Sequence, residues 1–206
     1  MVPSNSSTAP RRLPQQKRGE RRVAALIAAA ASEFAQVGYE SATMSAIARR
    51  AGAPIGSLYQ FFPNKQSLAR ALRTQQAQDY EALCEPLEAD AGKMNLGRLV
   101  TRFVALMVDF LQSHPAFLPL LEAPSTTRLP AARERHRQWI GRLLLAHSPR
   151  LPRARALQVA TVVMQINRAM MGLYAQANPD DRPWIVEEFN ALLNGYLTSR
   201  LHGSAE

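Results

Sequence analysis

Proline and glycine cut this chain into helix-length pieces, and no piece alternates apolar with polar residues as a half-buried strand must. The cuts fall at Gly38, Gly52, Pro63, the stretch from Pro86 to Asn95, Pro115, Pro119, Pro124, Pro130, Pro149, Pro152, Pro179 and Pro183. Between them apolar residues recur at three- and four-residue steps, first as Val23, Leu26, Ile27, Ala30, Phe34 and Val37. That period predicts an all-α fold. One helix should end at Gly38. A short second should run from Thr43 as N-cap, with Met44, Ile47, Ala48 and Ala51 on one face, to Gly52. A third fits residues 54–61, and a fourth runs from 65 to about 84 behind Asn64 as cap. Further helices are expected at about 95–113, 131–147, 153–177 and 183–201, with a turn of helix near 116–121.

With 206 residues, 47% of them hydrophobic, the chain can bury the core of one domain or two small units. Wholesale disorder, a collagen-like repeat and a disulfide-stapled mini-protein are excluded. Cys84 is the only cysteine, so neither an intrachain disulfide nor a thiolate zinc cluster can form, which fits a reducing compartment. The charge is lopsided. Residues 1–75 carry 11 basic and 3 acidic side chains and residues 76–206 carry 14 and 13, so nearly all of the net charge of +9 sits in the first third. Polyanions are therefore candidate partners of that third.

The longest clean apolar run, residues 23–31, is far short of the roughly 20 residues that cross a bilayer. It follows Arg21 and Arg22, as in a secretory signal, but its stripe continues through Glu33 and Phe34 to Val37, which one long amphipathic helix explains better. The expected organisation is a mobile basic tail over 1–16, a helix-turn-helix unit over 17–64, a connecting helix over 65–84 and a helical regulatory and dimerisation domain over 85–206.

Two short helices joined at Gly52, packed on a longer amphipathic helix inside the basic third, have the parts of a helix-turn-helix DNA-binding unit. Phe34, Gly38-Tyr39, Thr43, Ile47-Ala48, Ala51-Gly52 and the run from Pro54 through Ile55, Gly56, Ser57, Leu58, Tyr59, Gln60, Phe61, Phe62, Pro63 and Asn64 to Lys65 closely resemble the motif of the tetracycline-repressor (TetR) family. The resemblance covers about residues 18–72; the remainder matches that family only in size and helix content. It implies double-stranded DNA as partner and bacterial cytoplasm as location; no cofactor is expected.

The expected DNA-contacting residues are Thr43, Pro54, Ile55, Gly56, Ser57, Tyr59, Gln60, Phe61 and Lys65. If residues 54–61 lie in the major groove, Gly56 lets the backbone come close, while Ser57 and Gln60 reach base edges or phosphates. Tyr59 and Lys65 are implied as phosphate contacts by the resemblance, and Thr43 is open to two readings, a cap or a phosphate contact. Leu58, Ile47, Phe34 and Phe62 are core. The sequence departs from the commoner family pattern in two ways. Its recognition helix has no Lys or Arg, and Phe61 stands where family members often carry Tyr or His. Lys17, Arg18, Arg21 and Arg22 are then the candidates to supply charge at the backbone or in a neighbouring minor groove; the alternative is a solvated tail.

For the remainder, the resemblance implies a small-molecule cavity and a two-fold dimer through the last two long helices. Candidate interface residues are Leu157, Ala160, Met164, Met171, Phe189, Leu192, Leu193, Tyr196, Leu197 and Leu201. Candidate ligand contacts are Phe103, Met107, Phe110, Phe117, Trp139, Met164, Asn167, Arg168, Met171 and Tyr174, walls suited to a small apolar or amphipathic ligand. An intrachain core explains many of these residues equally well. Arg168 favours an anionic head group if it faces the pocket and means nothing if it faces water. The four histidines, at 114, 136, 147 and 202, show no metalloprotease spacing, no glycine loop cradles a phosphate, and neither catalytic nor metal-binding residues can be assigned. The expected function is a sequence-specific transcriptional regulator, a repressor released from a pseudo-palindromic operator by its ligand. The alternative is a basic protein that coats nucleic acid or an acidic membrane surface without sequence preference.

Overall fold

Helices make up all the regular structure of residues 14–123 and 129–201, the part of the chain that this computed structural model describes. The first, α1 (Pro14–Ser41), buries Leu26, Ala30 and Phe34. Gly38 breaks it with φ 77°, a left-handed conformation that a Cβ would strain, and one more turn carries the chain to Ser41. The tail expected over 1–16 lies outside the described residues as far as residue 13. Its basic end does not, and Lys17, Arg18, Arg21 and Arg22 sit on the α1 helix rather than in a tail.

Thr43 in extended backbone then caps α2 (Met44–Arg50), its Oγ1 accepting from the Ala46 N–H at 3.1 Å. Gly52, at φ 60°, turns the chain into α3 (Ile55–Phe61). The fourth helix, α4 (Lys65–Asp90), opens on a reciprocal capping box between Asn64 and Ser67. It passes the expected stop near residue 84, because Pro86 lies inside it on the exposed side while Cys84, Leu87 and Ala91 are buried at helical spacing on the other. Burying a leucine contributes about 1.5–3 kcal/mol, the same scale as the roughly 3 kcal/mol an interior proline costs.

A 3₁₀ turn (Ala91–Lys93) leads into α5 (Leu96–Ser113), capped by Asn95, and α6 (Phe117–Glu122) follows. Then come α7 (Pro130–His147), α8 (Arg153–Gln176), a 3₁₀ turn (Pro179–Asp181) and α9 (Arg182–Leu201). Two large cores result. The amino-terminal one gathers Leu26, Phe34, Ile47, Leu58, Leu68 and Leu72 from α1 to α4, and α6 adds Ala116 and Leu120 to it. The carboxy-terminal one packs α4, α5, α7, α8 and α9 around Phe103, Val104, Met107, Trp139, Ile140, Val163 and Met170. Helix α6 also turns Phe117 and Leu118 toward a third cluster around Leu111, Tyr174 and Ile185, so it touches both halves of the protein.

Candidate nucleic-acid interface

The helix-turn-helix is held rigid from behind. Arg50 at the end of α2 reaches back to α1, where it donates from Nε to Glu33 Oε2 at 3.1 Å, from Nη1 to Ser32 Oγ at 3.0 Å and from Nη2 to Gln36 Oε1 at 2.6 Å. Glu33 is buried, and this pairing is what lets a carboxylate remain there. Lys65 does the same for the end of α1. Its Nζ donates to the carbonyls of Tyr39, Glu40 and Ala42 at 2.7, 2.9 and 3.0 Å and lies 4.6 Å from the centre of the Tyr39 ring. All three ammonium protons are thereby committed to the carbonyls that the broken helix leaves open, whereas the resemblance implied a phosphate contact.

In front, Leu58 of α3 is fully buried and Phe62 nearly so, while Pro54, Ile55, Gly56, Tyr59, Gln60 and Phe61 are exposed. Tyr59 is 50% exposed, Ile55 41% and Phe61 39%, values that a folding role alone does not require of large apolar side chains. Gly56 is also unexplained by the fold. Unlike Gly38 and Gly52, it has no left-handed φ, and a Cβ built there meets nothing within 4 Å. Thr43 is exposed and caps α2 through its oxygen, which leaves the hydroxyl proton free to donate outward. Sequence reasoning missed one contact: Arg22 Nη1 donates to Ser57 Oγ at 3.2 Å. A cation of α1 therefore stands directly beside the recognition helix that carries none. The 35-residue separation gives no local signal of the pair.

The residues expected to line a ligand pocket fall in three places. Phe103, Met107 and Trp139 are deep in the carboxy-terminal core, with the Phe103 and Trp139 rings stacked at 5.9 Å, and the half-buried Met164 packs against it. Phe110 crosses edge-to-face with Phe117 at 5.0 Å, and Phe117 with Tyr174 belongs to the third cluster, where half-buried Met171 also packs. Asn167 is 2% exposed. Arg168 faces water, which takes it out of the interior. An apolar gap of about 20 Å³ lies among Leu99, Val100, Phe103, Ile140, Leu143, Val163 and Leu193. Of the anticipated set only Phe103 borders it.

The surroundings of Tyr80 were less legible. Its ring meets Phe110, His136 and Trp139 at 5.0, 4.9 and 6.1 Å, edge-on in each case, and its hydroxyl points at Met107 Sδ, 3.6 Å away. Burial pushes the His136 imidazole down to about 4 and the Cys84 thiol up to about 12, so both are neutral near pH 7. Gln76 Oε1, His136 Nδ1, Trp139 Nε1 and both amide atoms of Asn167 are buried without any hydrogen-bond partner. Each such atom costs on the order of 1–3 kcal/mol.

The candidate dimer residues also divide. Ala160, Leu193 and Leu197 are buried in their own protomer, and Leu157, Met164, Met171, Phe189, Tyr196 and Leu201 are half-buried against that core or beside it. The apolar side chains that α8 and α9 turn outward are Val162, Leu173, Trp184 and Leu192. The strong apolar stripe of each helix packs inside its protomer, so the outer face is the weaker second stripe.

Among the described residues, no group of three His, Cys, Asp or Glu side chains is placed to hold a metal, and no helix is long and apolar enough to cross a membrane. A braced helix-turn-helix with an exposed second helix, followed by an all-helical domain, defines a DNA-binding regulator. Sequence comparison narrows the class. The family of bacterial regulatory proteins, tetR family, matches residues 26–72, and the tetracyclin repressor-like carboxy-terminal domain matches residues 96–197. The chain therefore belongs to the tetracycline-repressor family and is a DNA-binding transcriptional regulator. Solved structures agree on the fold. A TetR-family regulator from Streptomyces coelicolor is 24% identical over 87% of this chain and 99% of its own, with TM-score 0.65. A γ-butyrolactone receptor (ArpA-like protein) is 25% identical over 88% and 100%, with TM-score 0.53. A regulator from Aquifex aeolicus VF5 is 16% identical over 85% and 99%, with TM-score 0.64. No curated protein matches this sequence.

Proposed function

We propose that this protein is a homodimeric repressor that reads a pseudo-palindromic operator through α3 and leaves it when a small ligand enters the carboxy-terminal helices. The exposed face of α3 carries the proposal, above all Gly56, which the fold does not need and a closely approaching DNA backbone would. Ser57 and Gln60 are the candidate base readers, Gln being able to pair bidentately with adenine. Tyr59 and Thr43 offer hydroxyls to phosphates, and Pro54, Ile55 and Phe61 make apolar contact with sugars and thymine methyls. Lys65 acts by bracing the unit, not by touching DNA.

Two protomers related by a two-fold axis would pair through Val162, Leu173, Trp184 and Leu192 and set their recognition helices about 34–36 Å apart, one turn of duplex. A ligand favouring a different spacing then weakens DNA binding by its coupling free energy, typically about 1–3 kcal/mol. Ligand response is typical of the family, and one similar structure is that of a γ-butyrolactone receptor. A DNA titration of Gln60→Ala against Tyr59→Phe tests the division of labour. Loss of discrimination at one base pair in the first variant, and uniform weakening over all sequences in the second, supports it; uniform weakening in both overturns it.

A further inference from the structure

The carboxy-terminal body is neutral only in sum. From residue 135 to residue 179 the chain carries seven arginines and no Asp or Glu. Helix directions decide where these charges go. Helix α7 runs beside α4 in the same direction, since Glu81 and Glu88 of α4 pair with Arg135 and Arg142 of α7, and it ends where Gly92 lies against the Ala146 carbonyl. Helix α8 returns, its Tyr174 hydroxyl accepting from Gln112 near the end of α5 at 3.0 Å. Helix α9 goes out again, with Leu193 and Leu197 beside Leu99 and Val100 near the start of α5. The turn from α7 to α8, the start of α5 and the end of α9 therefore share the end of the body farthest from α3. The helix-turn-helix packs on Leu68 and Leu72 at the other end of α4, whose 26 residues span roughly 39 Å at about 1.5 Å each.

That far end is basic. Arg98, Arg150, Arg153 and Arg155 are exposed there, their side chains without an ion pair or hydrogen bond among the described residues, and Arg200 is exposed at the end of α9. Glu88 and Asp90, the acids beside them, are taken up by Arg142 and by Lys93 with Arg102. Asp109, Asp180, Asp181, Glu187 and Glu188, which balance the sum, lie toward the opposite end. The corner that presents Arg150, Arg153 and Arg155 is fixed. Leu151 is buried between Pro149 and Pro152, and its N–H donates to the Ser148 carbonyl at 3.0 Å. Helix α8 opens behind Pro152 without a side-chain cap, so its first N–H groups stand open beside these arginines.

We propose that this far end binds the phosphate backbone of a second DNA duplex, so that the protein bridges two segments of DNA. Guanidinium forks and open N–H groups match phosphate oxygens, and a contact to the backbone alone reads no sequence. A membrane surface or a protein partner calls for an apolar anchor, and among the described residues no exposed large apolar side chain falls between residues 84 and 161. A single strand needs exposed aromatic rings to stack on, and the same stretch has none. The duplex held at α3 cannot itself turn to this face, because DNA is stiff over about 150 bp.

The test mixes the full chain at low salt with two short duplexes of random sequence, one labelled with a donor dye and one with an acceptor. The expected result is energy transfer between the duplexes that falls as salt is added. Arg150→Gln, Arg153→Gln and Arg155→Gln together should remove most of the transfer at an unchanged Tm, while anisotropy still reports a duplex held by the helix-turn-helix. For the second duplex, the slope of log K against log salt should fall by about 0.9 for each arginine in contact. Lysine at the same three positions should keep the transfer, which separates charge from a structural role. Transfer that survives the glutamine substitutions, no transfer with the parent protein, or stronger capture by phosphatidylserine vesicles or by a single strand of the same length overturns the proposal. Selection of DNA with the parent protein separates this site from the repressor reading: a recovered motif without bridging removes this site alone, and bridging without a motif removes the repressor reading alone.

Discussion

Gly56 and His136 are where single atoms matter most. A methyl group at position 56 meets nothing in the protein, and alanine is the better helix former, so Gly56→Ala should raise stability by up to about 1 kcal/mol. The same substitution should weaken operator binding by roughly tenfold or more if the backbone meets DNA there. Chemical denaturation and fluorescence anisotropy check the two halves; unchanged affinity would mean that α3 does not approach DNA at this residue. His136 makes the fold acid-sensitive. Its folded pKa, about 4, lies below the ordinary 6.5, so the unfolded chain binds the extra proton and stability falls as pH drops from about 6.5 to 4. The loss should be on the order of 3 kcal/mol, and His136→Phe should flatten that limb in urea titrations. Asp90, held low chiefly by Lys93, and Glu134, held low by Arg137, lose their contributions at lower pH still.

Helices were legible in the sequence wherever local signals decided them. Thr43 and Asn64 cap as side chains of their type do, and Gly38 and Gly52 turn where only glycine turns easily. The end of α4 was not legible, because Pro86 is a local stop signal and the burial of Cys84, Leu87 and Ala91 that overrides it depends on helices far along the chain. The Arg22 bond to Ser57 is tertiary in the same sense. Since α3 has no cation, Arg22→Ala should lower operator affinity and reduce the slope of log K against log salt by about 0.9, the share of one phosphate. A slope equal to that of the parent protein would restrict Arg22 to holding Ser57. Helix α6 belongs to two cores at once, and the Leu120 carbonyl accepts from Arg73 Nη1 of α4 at 2.6 Å. Leu120→Ala, a fully buried truncation, should cost about 2–5 kcal/mol by denaturant midpoint.

Across the whole molecule, a basic reading head and a nearly neutral helical body divide the work, and the charge asymmetry of the sequence already separates them. What the sequence hides is which apolar stripe stays inside a protomer and which meets a partner. Leu193 and Leu197 are internal while Leu192 is 52% exposed, a distinction of one residue step around α9. Leu192→Glu should therefore leave the fold intact and shift sedimentation from dimer to monomer, because pairing would bury the carboxylate without a counterion. A variant that remains fully dimeric would place the two-fold axis elsewhere.

Specific reading of DNA by a two-fold dimer is tested by selecting bound sequences from randomised duplex at physiological salt. The expected result is one enriched motif with two-fold symmetry, its half-sites one helical turn apart, bound at least about 1,000-fold more tightly than random DNA. Strong binding with no enriched motif would contradict it and leave a basic protein that coats nucleic acid through α1.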